Sequence, residues 1–289
     1  MAYASFAELL EAAAGHGSLG EAALAREAED AAQALEEVFE HMSRTLAVME
    51  EAVERGLAET DLSRSGLSGG QAAALHAATP RLIGGRMHEA IAAALAVAEV
   101  NARMGRVVAA PTGGASGVLP AILVPTARSL GVSRDKTVLA LFAAAAVGGV
   151  IAARATLSGA SGGCQAEIGS AAAMGAVAAV ELADGAPEQA GHAAAFALQG
   201  LLGLVCDPVG GRVEVPCVAR NATGTAIALS SAEMALAGLC FPIPLDEVID
   251  AMGHVGRSIP PSLRETALGG LAATPRGRVL GHSDGESLA

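Results

Sequence analysis

The apolar residues of this chain are almost all small, which narrows the possible folds more than any motif in it. Hydrophobic residues make up 52% of the sequence, yet aromatics are 2%, with no Trp, a single Tyr and 36 Gly. A core with few large rings fills its space by bringing backbones close together, and Ala and Leu both favour helix. β-Branched runs are short, and no Asn-Gly or Asp-Gly turn divides an alternating pair of segments. The expected fold is all-α, an Ala/Gly-rich helical domain punctuated by Gly/Pro loops.

Residues 4–14 read as a short helix, and Ser18-Leu19-Gly20-Glu21 as a capping box opening a second. Leu35, Phe39, Met42, Leu46, Met49 and Val53 alternate spacings of four and three. That pattern predicts an amphipathic helix from about Ala31 to Arg55, with Gly56 as its stop. Its apolar seam is expected to pack on the protein's own core, with a partner chain as the alternative. At residues 63–70, SRSGLSGG, the composition changes. The expected organisation is an N-terminal helical segment, 1–60, continuous with a second helical domain, 61–289. In the latter, loops 109–117, 158–165, 206–216, 221–225, 241–244 and 258–262 meet helix ends, where functional residues collect.

A net charge of −12, with no basic stripe or aromatic platform, argues against a nucleic-acid partner. The N-terminus carries Glu8 and Glu11 and no positive region, so it does not read as a signal peptide, and a cytoplasmic protein is expected. The longest uncharged run, Thr137 to Ala153, falls short of the roughly 20 residues a membrane span needs. A broken-helix membrane protein is the alternative that such small residues allow. No Trp/Tyr belt or Lys/Arg loop bias supports it, and no membrane partner is expected.

Residues 109–123, AAPTGGASGVLPAIL, join a Gly-rich loop to the start of a helix, where unpaired backbone N–H groups meet anions. Thr112, Gly113, Gly114, Ala115 and Ser116 form a candidate binding loop, although an ordinary helix cap has the same pattern. Lys136 is the only lysine; beside Arg134 and Asp135, in the first turn of a helix capped by Ser133, it reads as a solvated helix end. Pyridoxal-phosphate chemistry needs a Schiff-base lysine in the site, so no PLP is expected. The seven histidines have no ligand spacing, and His88 and His192 read as structural.

Of the four cysteines, Cys164, Cys206 and Cys217 stand in Gly- or Pro-punctuated loops that begin helices. Cys240 ends an Ala/Leu-rich helix and reads as a small buried thiol. Intracellular chains use cysteine for metals or catalysis more than for disulfides. Three thiolates can hold a cubane iron–sulfur cluster and leave one iron open as a Lewis acid, whereas an electron-transfer cluster usually takes four. On spacing alone, a cluster and inert thiols stand equal. An iron–sulfur redox or sensor protein and a metal-free binding module are the other classes in play.

Several stretches resemble the iron–sulfur-dependent L-serine dehydratase family, in particular the separately encoded α chain of its two-subunit branch. They are SRSGLSGG (63–70), NARMGRVVAAPTGGASGVLPAIL (101–123), GASGGCQAEIGSAAAMGA (159–176), GLVCDPVGGRVEVPCVARNATG (203–224), PLDEVIDAMGHVG (244–256) and RETALGGLAATPRG (264–277). The resemblance implies loops converging on a metal-cluster site, with Cys164, Cys206 and Cys217 ligating a [4Fe–4S] cluster and Cys240 outside it. It implies deamination of L-serine to pyruvate and ammonia without PLP. The hydroxyl, and the carboxylate with it, meets the open iron; a base takes the Cα proton; hydroxide leaves; the aminoacrylate tautomerises and hydrolyses. Single-chain members carry a further region with a Ser-Ser-Ser-His-Thr motif, which this sequence lacks. The base is therefore expected on a separate β chain, in a hetero-oligomer. Many single-chain members also have Asn where Gly113 stands. For the substrate carboxylate the first expectation is the 112–116 loop, and the second is Arg220 with Asn221. Arg220 could equally tie its loop to Asp207 or Glu214.

Overall fold

A computed structural model describes residues 3–282, and among them it contains helices and no strand. The one β feature is an isolated bridge between Cys206 and Arg264. The all-α expectation holds.

Three helices open the chain: α1 (Phe6–His16), α2 (Leu19–Ala31) and α3 (Leu35–Ala58). Ser18 caps α2 as its sequence suggests, the hydroxyl accepting from the Glu21 amide at 3.1 Å. α3 starts later than its periodicity implies, because Ala32 turns left-handed at φ 51° and ends α2. Gly56 does not stop α3 either. The helix runs on to Ala58, and Gly56 is buried where a side chain would collide with the Ala96 backbone. Of the apolar seam, Leu46, Met49 and Val53 are buried in the protein's own core, whereas Leu35 is exposed.

The chain continues through α4 (Gln71–Ala77), α5 (Gly85–Ala102), α6 (Val118–Leu130), α7 (Arg134–Arg154) and the single turn α8 (Gly159–Gly162). It ends with α9 (Ser170–Leu182), α10 (Pro187–Gln199), α11 (Cys217–Leu236), α12 (Leu245–Ser258) and α13 (Pro275–His282). α9 is the axis of the bundle. Its sequence, SAAAMGAVAAVEL, has no polar face, and all 13 of its residues are buried. The helices α6, α7, α10 and α11 pack around it. Its one acid, Glu181, accepts from the Gly20 amide at 3.2 Å and so ties the start of α2 to the axis.

α7 is capped by Ser133, which accepts from the Lys136 amide at 3.2 Å, and Lys136 pairs with Asp184. α7 is long and apolar enough to cross a membrane, and 67% of its most apolar stretch is buried against other helices. α2 and α9 are its main neighbours.

Close helix approach makes a direct prediction. At Gly56 an added Cβ would lie 2.7 Å from the Ala96 Cα, so Gly56→Ala must push α3 off α5. We expect it to lower stability by about 1–3 kcal/mol. Gly15→Ala in α1, where a Cβ meets nothing within 4 Å, is expected to raise stability by roughly 0.5–1 kcal/mol. Denaturant midpoints followed by circular dichroism check both.

Candidate functional site

Three loops are held in place by buried polar side chains. The α8–α9 loop turns at Gly163, φ 77°, presents Cys164 and enters a π-turn over Gln165–Gly169. Gln165 is fully buried. Its side chain donates to the carbonyls of Gly162 at 2.9 Å and Met252 at 3.1 Å, and accepts from the Gly203 amide at 2.9 Å. It thereby staples this loop to α12 and to the α10–α11 loop. In the α10–α11 loop, the Cys206 amide donates to Leu263 O at 2.9 Å, and its carbonyl accepts from the Glu265 amide at 2.7 Å.

The first turn of α11 supplies further ties. Arg220 pairs with buried Asp207 at 2.8 Å and donates to Val205 O at 2.9 Å. It therefore ties its own loop together rather than lying free for a ligand. Asn221, 1% exposed, accepts from the Gly117 amide at 2.9 Å and donates to Gly114 O at 2.8 Å and Cys217 O at 2.9 Å. That residue is also fully engaged. The SRSGLSGG segment does comparable work: Ser63, Ser65 and Ser68 donate to the buried Glu214 carboxylate at 2.5, 2.8 and 2.7 Å. Glu214 stands three residues before Cys217.

These ties enclose a cavity of about 1030 Å³, lined by Cys164, Cys206 and Cys217 together with Thr112, Gly113 and Gly114. Ala115 and Ser116 are not on its wall. They are buried behind the Gly113–Ala115 turn, where the Ser116 hydroxyl donates to Gly113 O at 2.7 Å. The Gly113 and Gly114 amides begin that turn and have no acceptor within it. Glu167, Glu265, Asn101 and Arg64 also line the cavity, and sequence reasoning singled out none of them. For Glu167 a signal existed. It follows Cys164 by three residues, a spacing that sets two side chains on one side of a helical turn. Glu265 had none, since its left-handed φ of 63° shows only in the fold.

Burial dominates the electrostatics. It pushes the Cys164 thiol up to about 11, with the Arg220 charge pulling the other way. It pushes Cys217 up to about 12, helped by the nearby Cys164 and Glu167. Cys206 is raised as well, by burial first and then by the Glu167 charge. Glu167 is itself raised by burial, against the Thr112 hydroxyl, which donates to its Oε1 at 2.8 Å. Three thiols that share a cavity cannot all ionise unless positive charge joins them. Among the described residues, no three His, Cys, Asp or Glu side chains are placed to chelate one metal ion. Cys240 is exposed rather than buried, because α11 ends at Leu236 and the chain turns outward at Gly238, φ 89°.

The family described as "Serine dehydratase alpha chain" matches residues 16–272. The chain is 49% identical over 260 residues to the "Probable L-serine dehydratase, alpha chain" of Bacillus subtilis (strain 168), covering 89% of this chain and 86% of that one. It is 56% identical over 194 residues to the protein of the same name from Latilactobacillus sakei, covering 67% and 93%. It is 41% identical over 248 residues to the "L-serine dehydratase, alpha chain" of Peptoniphilus asaccharolyticus, covering 85% of each.

Two outcomes follow from the geometry. Glu214→Ala leaves three buried serine hydroxyls without their acceptor and is expected to cost about 3 kcal/mol or more, against about 1 kcal/mol for Ser68→Ala. Chemical denaturation of the purified variants measures both. In metal-free protein at pH 8, iodoacetamide is expected to label exposed Cys240 first. Cys164, raised from 9.0 to about 11, should lag its unperturbed rate by roughly a hundredfold, since each pKa unit removes about tenfold of the thiolate. Peptide mass mapping reads the order, and equal labelling of all four thiols contradicts it.

Proposed function

The chain belongs to the serine dehydratase alpha chain family, and on that premise we propose that it is the α subunit of an L-serine ammonia-lyase. In this reading it converts L-serine to pyruvate and ammonia, with Cys164, Cys206 and Cys217 holding a [4Fe–4S] cluster and without PLP. The observation that carries the reading is the meeting of three thiols on one cavity wall, Cys164 from the loop before α9 and Cys206 and Cys217 from the segment that leads into α11.

The donor set fits such a group. An all-thiol set is what an iron–sulfur cluster takes, and each thiolate of a cubane holds a different iron, so the set need not converge as the ligands of one ion do. The raised thiols point the same way, because cationic iron offsets the burial that keeps them protonated. When bound by three thiolates, the cluster supplies an open iron that acts as a Lewis acid on substrate oxygens.

The chain's own residues do the remaining work assigned to it here. Arg220 and Asp207 hold the Cys206 loop, and Asn221 locks the Gly114 carbonyl to the start of α11. The Gly113 and Gly114 amides point to the substrate carboxylate as their acceptor. No histidine lines the cavity among the described residues. That supports a general base contributed by a separate β chain, which the alpha-chain names of the relatives imply, in a hetero-oligomer. The only lysine pairs with Asp184 on the surface, away from the cavity lining, in keeping with chemistry that forms no Schiff base.

Anaerobic reconstitution with iron and sulfide, followed by iron counting, tests this reading. Wild type is expected to take up about four irons per chain. Cys164→Ala, Cys206→Ala and Cys217→Ala are expected to lose them together with serine turnover in the presence of the β chain. Cys240→Ala should keep both. A wild-type chain that binds no iron, or a Cys240 as necessary as the other three, contradicts the reading.

A further inference from the structure

Glu167 is one of the polar groups of the cavity to which the roles above give no task. Glu167 sits in the π-turn between Cys164 and α9, partly buried, with its carboxylate on the cavity wall. Oε1 accepts from the Thr112 hydroxyl at 2.8 Å. Oε2 lies 3.8 Å from Cys206 Sγ. Its placement depends on Gly159, where a Cβ would collide with Oε2 and come within 3.1 Å of Cys206 Sγ. Among the described residues no Lys, Arg or His forms an ion pair with Glu167. Arg220, the guanidinium near Cys164, is engaged by Asp207.

A carboxylate withdrawn from water without a cation is unfavourable, and groups in this situation take a counter-ion when one is offered. Here the offer comes from the cavity itself. An α-amino acid carries its two charges on neighbouring atoms of one carbon, so its site needs an acceptor for the ammonium close to donors for the carboxylate. That pairing is present. Thr112 donates to Glu167 and directly precedes Gly113, and a Cβ built on Gly114 would stand 3.8 Å from Glu167 Oε1. Acceptor and amide donors are thus adjacent. Glu265 also lines the cavity but is exposed, where water screens its charge.

Resting on the serine-lyase reading, we propose that Glu167 receives the α-ammonium of the substrate and so selects α-amino acids over 2-hydroxy acids of the same shape. Thr112 is then a positioning residue, holding Oε1 beside the Gly113 and Gly114 amides while Oε2 packs against Gly159 and Cys206.

The test uses the iron-loaded chain together with its β chain, prepared without oxygen, and compares dissociation constants for L-serine and for L-glycerate, which replaces the ammonium by a hydroxyl. Wild type is expected to prefer L-serine. Glu167→Gln should weaken L-serine roughly ten- to a hundredfold while leaving L-glycerate, iron content and visible absorption unchanged. Glu167→Asp, which keeps the charge, should recover part of the preference. Equal affinity of wild type for the two acids overturns the proposal without any variant. Parallel weakening of both ligands in Glu167→Gln overturns it too, as does loss of iron in both Glu167 variants, which would give the carboxylate to the cluster. A wild-type protein that takes up no iron and responds to neither acid sinks the serine reading itself, and the ammonium site with it.

Discussion

The side-chain amide of Asn221 makes three hydrogen bonds from a position that water does not reach, and the geometry of the cavity depends on them. One goes to the amide of Gly117, one to the carbonyl of Gly114 and one to the carbonyl of Cys217. A buried amide left partly unsatisfied costs more than an apolar side chain in its place, so such a group persists only where all its partners are held. Because the partners belong to the α5–α6 loop and to the first turn of α11, a single side chain fixes the distance between the glycine amides and one of the thiols. Arg220, one residue earlier, does the same for the Cys206 loop through Asp207 and Val205.

Those polar ties need a rigid base, and small residues provide it. α9 has no large ring and no solvent-facing side, so α6, α7, α10 and α11 approach it closely and leave little room for sliding. Irregular backbone is concentrated where the helices end. The π-turn after Cys164, the left-handed Gly163 and the left-handed Glu265 all belong to the segments around the cavity. Strain of this kind survives where surrounding contacts over-determine it, and it marks places where a chain positions groups for a ligand.

Much of this is legible in the sequence because the responsible physics is local. Ala-rich composition specifies helices, and Ser18 and Ser133 cap the helices that follow them. What depends on tertiary contact is not legible. Nothing near Gly56 reveals that the backbone of Ala96 lies against it, so a glycine that serves close packing looks like a helix stop. Arg220 and Asn221 stand beside Cys217 and look available to a substrate, yet Asp207 and four backbone groups already engage them. In the sequence the serines of SRSGLSGG mark only a change of composition, and only the fold brings them to Glu214. Cys240 reads as a core thiol because an Ala/Leu-rich helical stretch leads up to it, whereas α11 has already ended at Leu236.

The central claim is that Cys164, Cys206 and Cys217 hold a cluster that serine reaches directly in this cavity. Mössbauer spectroscopy on protein loaded with iron-57 in the absence of oxygen addresses it, with spectra taken before and after L-serine is added. The account predicts that one iron of the cluster changes its signal on addition of serine and that the others stay as they were. Spectra in which all irons remain equivalent and indifferent to serine contradict it.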